Sequence, residues 1–163
     1  MSKENAKKPS VLEEEEEQEQ EQALQDITGT VTVTANSDEI AEPETRENVK
    51  EYMGKLLLIS SFTIRPVLKD NKFMYVSHID GCVIENADVV NKIKEIGAID
   101  KEVKELIKKE CQPVKLYSTS SGVAVSLNSY VKDALKKGKV LVEISSKKGR
   151  YPQDIILLKN PFA

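Results

Sequence analysis

The chain has 163 residues, no Trp, two Cys, one His and a formal net charge of −3. That total hides a division: residues 1–50 hold 5 Lys+Arg against 14 Asp+Glu, a charge of −9, and residues 51–163 hold 19 against 13, a charge of +6. Two cysteines and one histidine are too few for an ordinary structural zinc site or a secreted disulfide framework, and the longest apolar run, Leu56–Ile59, is too short to cross a bilayer.

Residues 1–50 read as a disordered acidic arm and linker. The run from Glu13 to Gln22 contains only Glu and Gln, so it has no apolar surface to offset the entropy of ordering. The stretch before it is polar, with no apolar leader core. A cytoplasmic protein with Cys82 and Cys111 reduced is therefore expected. Within the arm, Ile27–Ala35 alternates Thr with Val, a strand signal with polar neighbours on both sides. It reads as an isolated strand that pairs onto an edge of the domain or onto a partner, or as a linker with incidental β-propensity.

Residues 51–163 read as one folded domain. Lys55–Arg65 is a long strand in which alternation puts Leu56, Leu58, Phe62 and Ile64 on one face and Thr63 and Arg65 on the other. Pro66 ends or kinks it, and Asp70-Asn71 is a turn. Phe73–Ile79 is a second strand, and Asp80-Gly81 signals a hairpin into Cys82–Glu85. The period then changes to a helical one. Gly97 interrupts it and Asp100 is a good N-cap, so 87–110 is an insertion of two short helices. Val114–Tyr117 and Val123–Leu127 read as strands around a Ser/Gly turn. A short helix over 128–137 follows, then strands at Lys139–Ser145 and Ile155–Lys159, joined by the basic turn Lys147-Lys148-Gly149-Arg150. Strands and helices do not alternate regularly, which argues against a doubly wound sheet. The expected fold class is α+β, a small and mostly antiparallel sheet or partial barrel with inserted short helices.

The basic residues gather at two turns. Arg65, Lys69 and Lys72 flank the first, and Lys147, Lys148 and Arg150 lie at the last. Tyr75, Tyr117 and Tyr151 lie in or beside the strands. Cations neutralise phosphates and exposed rings stack on unpaired bases, at about 1–3 kcal/mol per base. These nine residues form the expected nucleic-acid site.

In element order, 55–159 resembles the OB-fold single-stranded-DNA-binding proteins of archaea, viruses and plasmids. The resemblance implies that ligand lies between the loops 66–72 and 146–152. The departures are the two-helix stretch and the extra strand pair 114–127, where a plain OB-fold has one helix, and an acidic tail that is N-terminal.

Other chemistries find less support. The seven glycines form no phosphate-cradling pattern. Asp80, Glu143 and His78 do not reproduce the acid–lysine spacing of a metal nuclease, and neither cysteine has an activating neighbour. No catalytic residue, metal or cofactor is expected. The functional expectation is a non-enzymatic single-strand nucleic-acid binder whose acidic arm competes for the groove or recruits protein partners. The alternatives are an assembly module without nucleic-acid binding, in which the strand Thr30–Thr34 pairs with a neighbouring subunit as in a homo-oligomer, and a helix-turn-helix duplex binder using 87–110.

Overall fold

Two long neighbouring strands organise the molecule, and one extra residue in the first of them sets what packs on each side. The computed structural model describes residues 31–34, 46–148 and 155–162. The acidic run, Arg150 and Tyr151 lie outside the described residues. The strands are β1 (Val31–Thr34), β2 (Glu47–Asn48), β3 (Leu56–Lys69), β4 (Lys72–Ile84), β5 (Gln112–Ser118), β6 (Val140–Lys147) and β7 (Ile155–Lys159). They form one curled sheet in the order β2-β5-β4-β3-β6-β7, with β1 also on β3. All pairs are antiparallel except β2 with β5. The class is α+β.

β3 and β4 are closed by a two-residue hairpin at Asp70-Asn71, with φ of 51° and 63°. Positive φ at both central residues is the type I′ geometry that matches strand twist. β4 then runs straight through Asp80-Gly81, where a second hairpin was expected. The irregularity belongs to β3 instead. Ile59 pairs with Gly81 and Ser61 with Asp80, so Ser60 is the extra residue of a β-bulge. Its hydroxyl donates to the Asp80 carbonyl at 2.9 Å.

A one-residue insertion reverses every later side chain. Before the bulge Leu57 and Ile59 enter the main core; after it Phe62 and Ile64 do. The expected single face of Leu56, Leu58, Phe62 and Ile64 is therefore divided: Leu56 and Leu58 belong to a second core on the opposite face.

The main core lies under one long helix. Ser121–Ser126, a π turn Leu127–Val131 and Lys132–Leu135 follow without a break and are called α3. Val123, Ala124, Leu127, Val131 and Leu135 recur at helical spacing and are buried. This corrects the strand expected at Val123–Leu127. β-propensity is a weak preference, and burying this apolar stripe outweighs it. Gly122 lets α3 approach the Ile156 carbonyl closely. Ser120 Oγ donates to that carbonyl at 3.0 Å, and Ser126 Oγ accepts the Leu158 N–H at 3.2 Å. The outer edge of β7 is thus partly satisfied by helix side chains.

The second core lies under α1 (Ala87–Ile96) and α2 (Lys101–Glu110), which cover Leu56, Ile84 and Leu141. Asn86 caps α1 and Asp100 caps α2, the latter accepting the Val103 N–H at 2.9 Å. Gly97, at φ 79°, ends α1 as the sequence indicates. Glu143, 8% exposed, receives Lys94 of α1 at 3.0 Å. Cys82 of β4 and Cys111 at the end of α2 form a disulfide with Cα atoms 5.4 Å apart. The expectation of reduced thiols is corrected here: residues 29 positions apart meet because α2 returns the chain to β4.

The Thr/Val pattern of β1 has a direct explanation. β1 pairs with β3 at Ile64 to Ser61, where Val33 packs on the main core and Thr32 meets Thr63 on the other face, hydroxyl to hydroxyl at 3.2 Å. The sheet therefore takes in residues upstream of 51.

Candidate nucleic-acid interface

β3 and β4 outrun their neighbours. β1 stops beside Ile64, and β5 stops where Ser118 meets Ser77. Residues 65–76 therefore form a two-stranded ribbon with no described strand on either edge. The ribbon holds Arg65, Lys69 and Lys72 against a single acid, Asp70. Arg65 and Lys72 are exposed, as are Val67 at 37% and Leu68 at 61%.

Register defines which residues share a face. On the face away from α3, Thr63 pairs with His78 and Arg65 with Val76; His78 in turn pairs with Tyr117, and Asp80 with Lys115. α1 and α2 cover this face only at its Leu56–Ile84 end. The remaining half has no described element over it, and its His78 and Tyr117 are half-buried. Asn48 Nδ2 lies 3.4 Å from the Tyr117 hydroxyl and fixes that end of the ring.

The face is electrostatically arranged. Arg46 Nη1 lies 2.9 Å from Asp80 Oδ1, and 3.3 and 3.2 Å from the carbonyls of Ile79 and Leu116, so it ties β4 to β5. Lys115 Nζ is 3.7 Å from the same carboxylate. Two cations thus answer one acid, and Asp80 is not an uncompensated negative charge. Burial, then the charges of Arg46 and Arg65, lower the pKa of His78 below its ordinary value, against the smaller opposing effect of Asp80. His78 is therefore a neutral ring at pH 7.

The nine expected site residues do not form one cluster. Arg65, Lys69, Lys72 and Tyr75 are on the ribbon, and Tyr117 stands on the open face next to His78. Tyr75 lies on the other face and packs against the main core. The last basic turn is elsewhere. β6 pairs with β3 only from Leu56↔Glu143 to Ile59↔Val140, so Lys147 and Lys148 continue past Leu56, away from the ribbon. From Leu56 to Lys69 is about 40 Å of strand contour. The groove expected between loops 66–72 and 146–152 is thus corrected: the turns leave opposite ends of β3. Strand register decides this, and turn composition carries no trace of it. Sequence reasoning also missed His78, Arg46 and Lys115 as members of the face. Only the two-residue spacing of His78 and Asp80, read with the strand, hinted at it.

Among the described residues no group of His, Cys, Asp or Glu is arranged to hold a metal ion. Glu143 is engaged with Lys94 and Asp80 with Arg46. No described helix is long and apolar enough to cross a membrane.

No family model matches the chain, and no solved structure matches it. The chain is 38% identical over 133 residues to uncharacterized protein 11 of Sulfolobus islandicus filamentous virus (isolate Iceland/Hveragerdi), across 78% of this chain and 71% of that protein. The chain belongs to the family of this viral protein.

Proposed function

We propose that this member of the viral family is a non-enzymatic nucleic-acid-binding protein that prefers single strands and uses the open half of its sheet. One observation carries the reading: register sets His78 beside Tyr117, with Arg65 on the same face one pair further along the β3–β4 ribbon, and no described element covers them. Arg65 and Lys72 would neutralise phosphates, and Lys69 occupies the adjoining position. Tyr117 and the neutral His78 would offer rings on which unpaired bases stack. Arg46 and Lys115 would keep Asp80 from repelling the backbone. We read the curled sheet as an OB-like half-barrel in this role. Lys147 and Lys148 would act as a separate phosphate contact for a long strand.

A second reading rests on the ribbon itself. A two-stranded β-ribbon fits the major groove of duplex DNA, and residues 65–76 form such a ribbon with a net positive charge. The helices α1 and α2 offer less, because their apolar stripes are committed to the second core.

Fluorescence anisotropy with labelled oligo(dT) and a duplex of equal length, over a salt series, tests both. The expected result is tighter binding of oligo(dT), weakening linearly on a log–log salt plot. Tyr117→Ala should lose about 1–3 kcal/mol, and Arg65→Ala should lower the salt slope by about one. Preference for the duplex would favour the ribbon-in-groove reading. No binding of either at low salt would end both.

A further inference from the structure

We infer that the acidic tract Glu13–Glu21 of the same molecule docks on the ribbon and competes there with nucleic-acid phosphates. The inference rests on the proposed nucleic-acid reading and specifies how that surface is regulated. Its geometric basis is the direction of β1. Val31 pairs with Ile64 and Thr34 with Ser61, so the N-terminal end of β1 lies beside Ile64. That end lies on the edge of β3 that continues, with no described strand beside it, through Arg65 to Lys69. The arm is thus tethered at the root of the ribbon.

Tether length fits this placement. Nine residues separate Glu21 from Val31. Nine residues of chain span about 17 Å as a coil and about 30 Å when extended. The ribbon from Ile64 to Lys69 is about 17 Å long. Either way the tract reaches the whole ribbon, and a tether this short gives an effective concentration in the millimolar range. Charge is complementary as well: seven glutamates lie between residues 13 and 21, and the ribbon's cations outnumber its one acid. Competition of this kind suppresses weak polyanions more than tight ones and is removed by salt.

The test uses the full chain and a full-length variant carrying Glu13→Gln through Glu17→Gln, Glu19→Gln and Glu21→Gln. Two quantities are measured: oligo(dT) affinity over a salt series, and backbone amide chemical shifts without oligonucleotide. The variant should bind at least about fivefold tighter at low salt, with the gap closing toward 1 M salt, where the screening length is about 3 Å. Amides of residues 65–76 should differ between the two proteins. Equal affinity with unchanged ribbon amides overturns the docking and leaves the nucleic-acid reading standing. Ribbon shifts without oligonucleotide binding in either protein support the docking and remove the nucleic-acid reading. Shifts that grow with protein concentration, together with a dimer mass, place the arm of a second copy on the ribbon and overturn the intramolecular statement.

Discussion

Gly81 lies directly beneath the backbone carbonyl of Leu58. A Cβ built on Gly81 would overlap the Leu58 oxygen and stand 3.0 Å from the Leu58 carbonyl carbon and 3.2 Å from Ile59 Cα. All three obstacles are backbone, so no rotamer change relieves them. The close approach occurs beside the Ser60 bulge, which divides β3 between two cores. The glycine is there for space and not for a turn.

Gly81→Ala should therefore destabilise the protein by about 3 kcal/mol or more, the upper range for a forced insertion into packed structure. Chemical denaturation measures it. A loss under about 1 kcal/mol would show that β3 and β4 separate easily at the bulge, and that the two cores do not depend on its geometry.

The disulfide makes a second prediction. Cys82 and Cys111 close a loop spanning 29 positions, for which the chain-entropy relation gives about 3–4 kcal/mol. The double variant Cys82→Ser, Cys111→Ser should lose about that much stability under oxidising conditions. It should match the reduced wild-type protein. The second core is otherwise apolar, so the variant should still fold. A wild-type protein equally stable with and without reductant would show that the bond contributes nothing.

His78 supplies a pH dependence. Its folded pKa is lowered by burial and by Arg46 and Arg65. Above about pH 6.5 the ring is neutral in both folded and unfolded chains and contributes no linkage. As pH falls below 6.5 the unfolded chain takes up the proton first, so stability declines until the folded-state pKa is passed. His78→Gln should remove this component and flatten the stability profile between about pH 6.5 and the lower folded value. Parallel profiles for the two proteins over that window would contradict the assignment.

Glu143 and Lys94 fasten α1 to β6. The carboxylate is buried, whereas the Lys94 side chain is 38% exposed, which weakens the pair through solvent screening. Glu143→Ala should cost about 1–2 kcal/mol. A double-mutant cycle with Lys94→Ala should return a coupling near 1 kcal/mol that shrinks with salt. Zero coupling would assign the cost of Glu143→Ala to its other surroundings, among them Lys159 Nζ at 3.9 Å.

Local signals in this chain were read correctly at several places where a short stretch acts alone, although Asp80-Gly81, expected as a hairpin, lies inside β4. Asp70-Asn71 turns the chain because two small polar residues tolerate positive φ. Asp100 caps α2 and Gly97 ends α1 because those roles need only their own side chain, or its absence. The Thr/Val alternation of β1 signalled a strand, one of the two readings that stretch allowed. Each of these depends on neighbours within about four positions, and the order of amino acids alone determines it.

Long-range relations were decided by the tertiary structure. Whether Ser60 is a pleat residue or a bulge depends on how β4 lies beside it, and that one residue reassigns the faces of Phe62 and Ile64. Whether Val123–Leu127 is strand or helix depends on burial against β7, because the propensity difference is small compared with packing an apolar stripe. The two basic turns look equivalent in sequence, yet β3–β6 register sends them to opposite ends. Arg46, His78, Lys115 and Tyr117 meet because three strands align their side chains over a span that no local pattern records. A chain encodes such meetings only through the summed burial of the whole core, which exists only once the fold has formed.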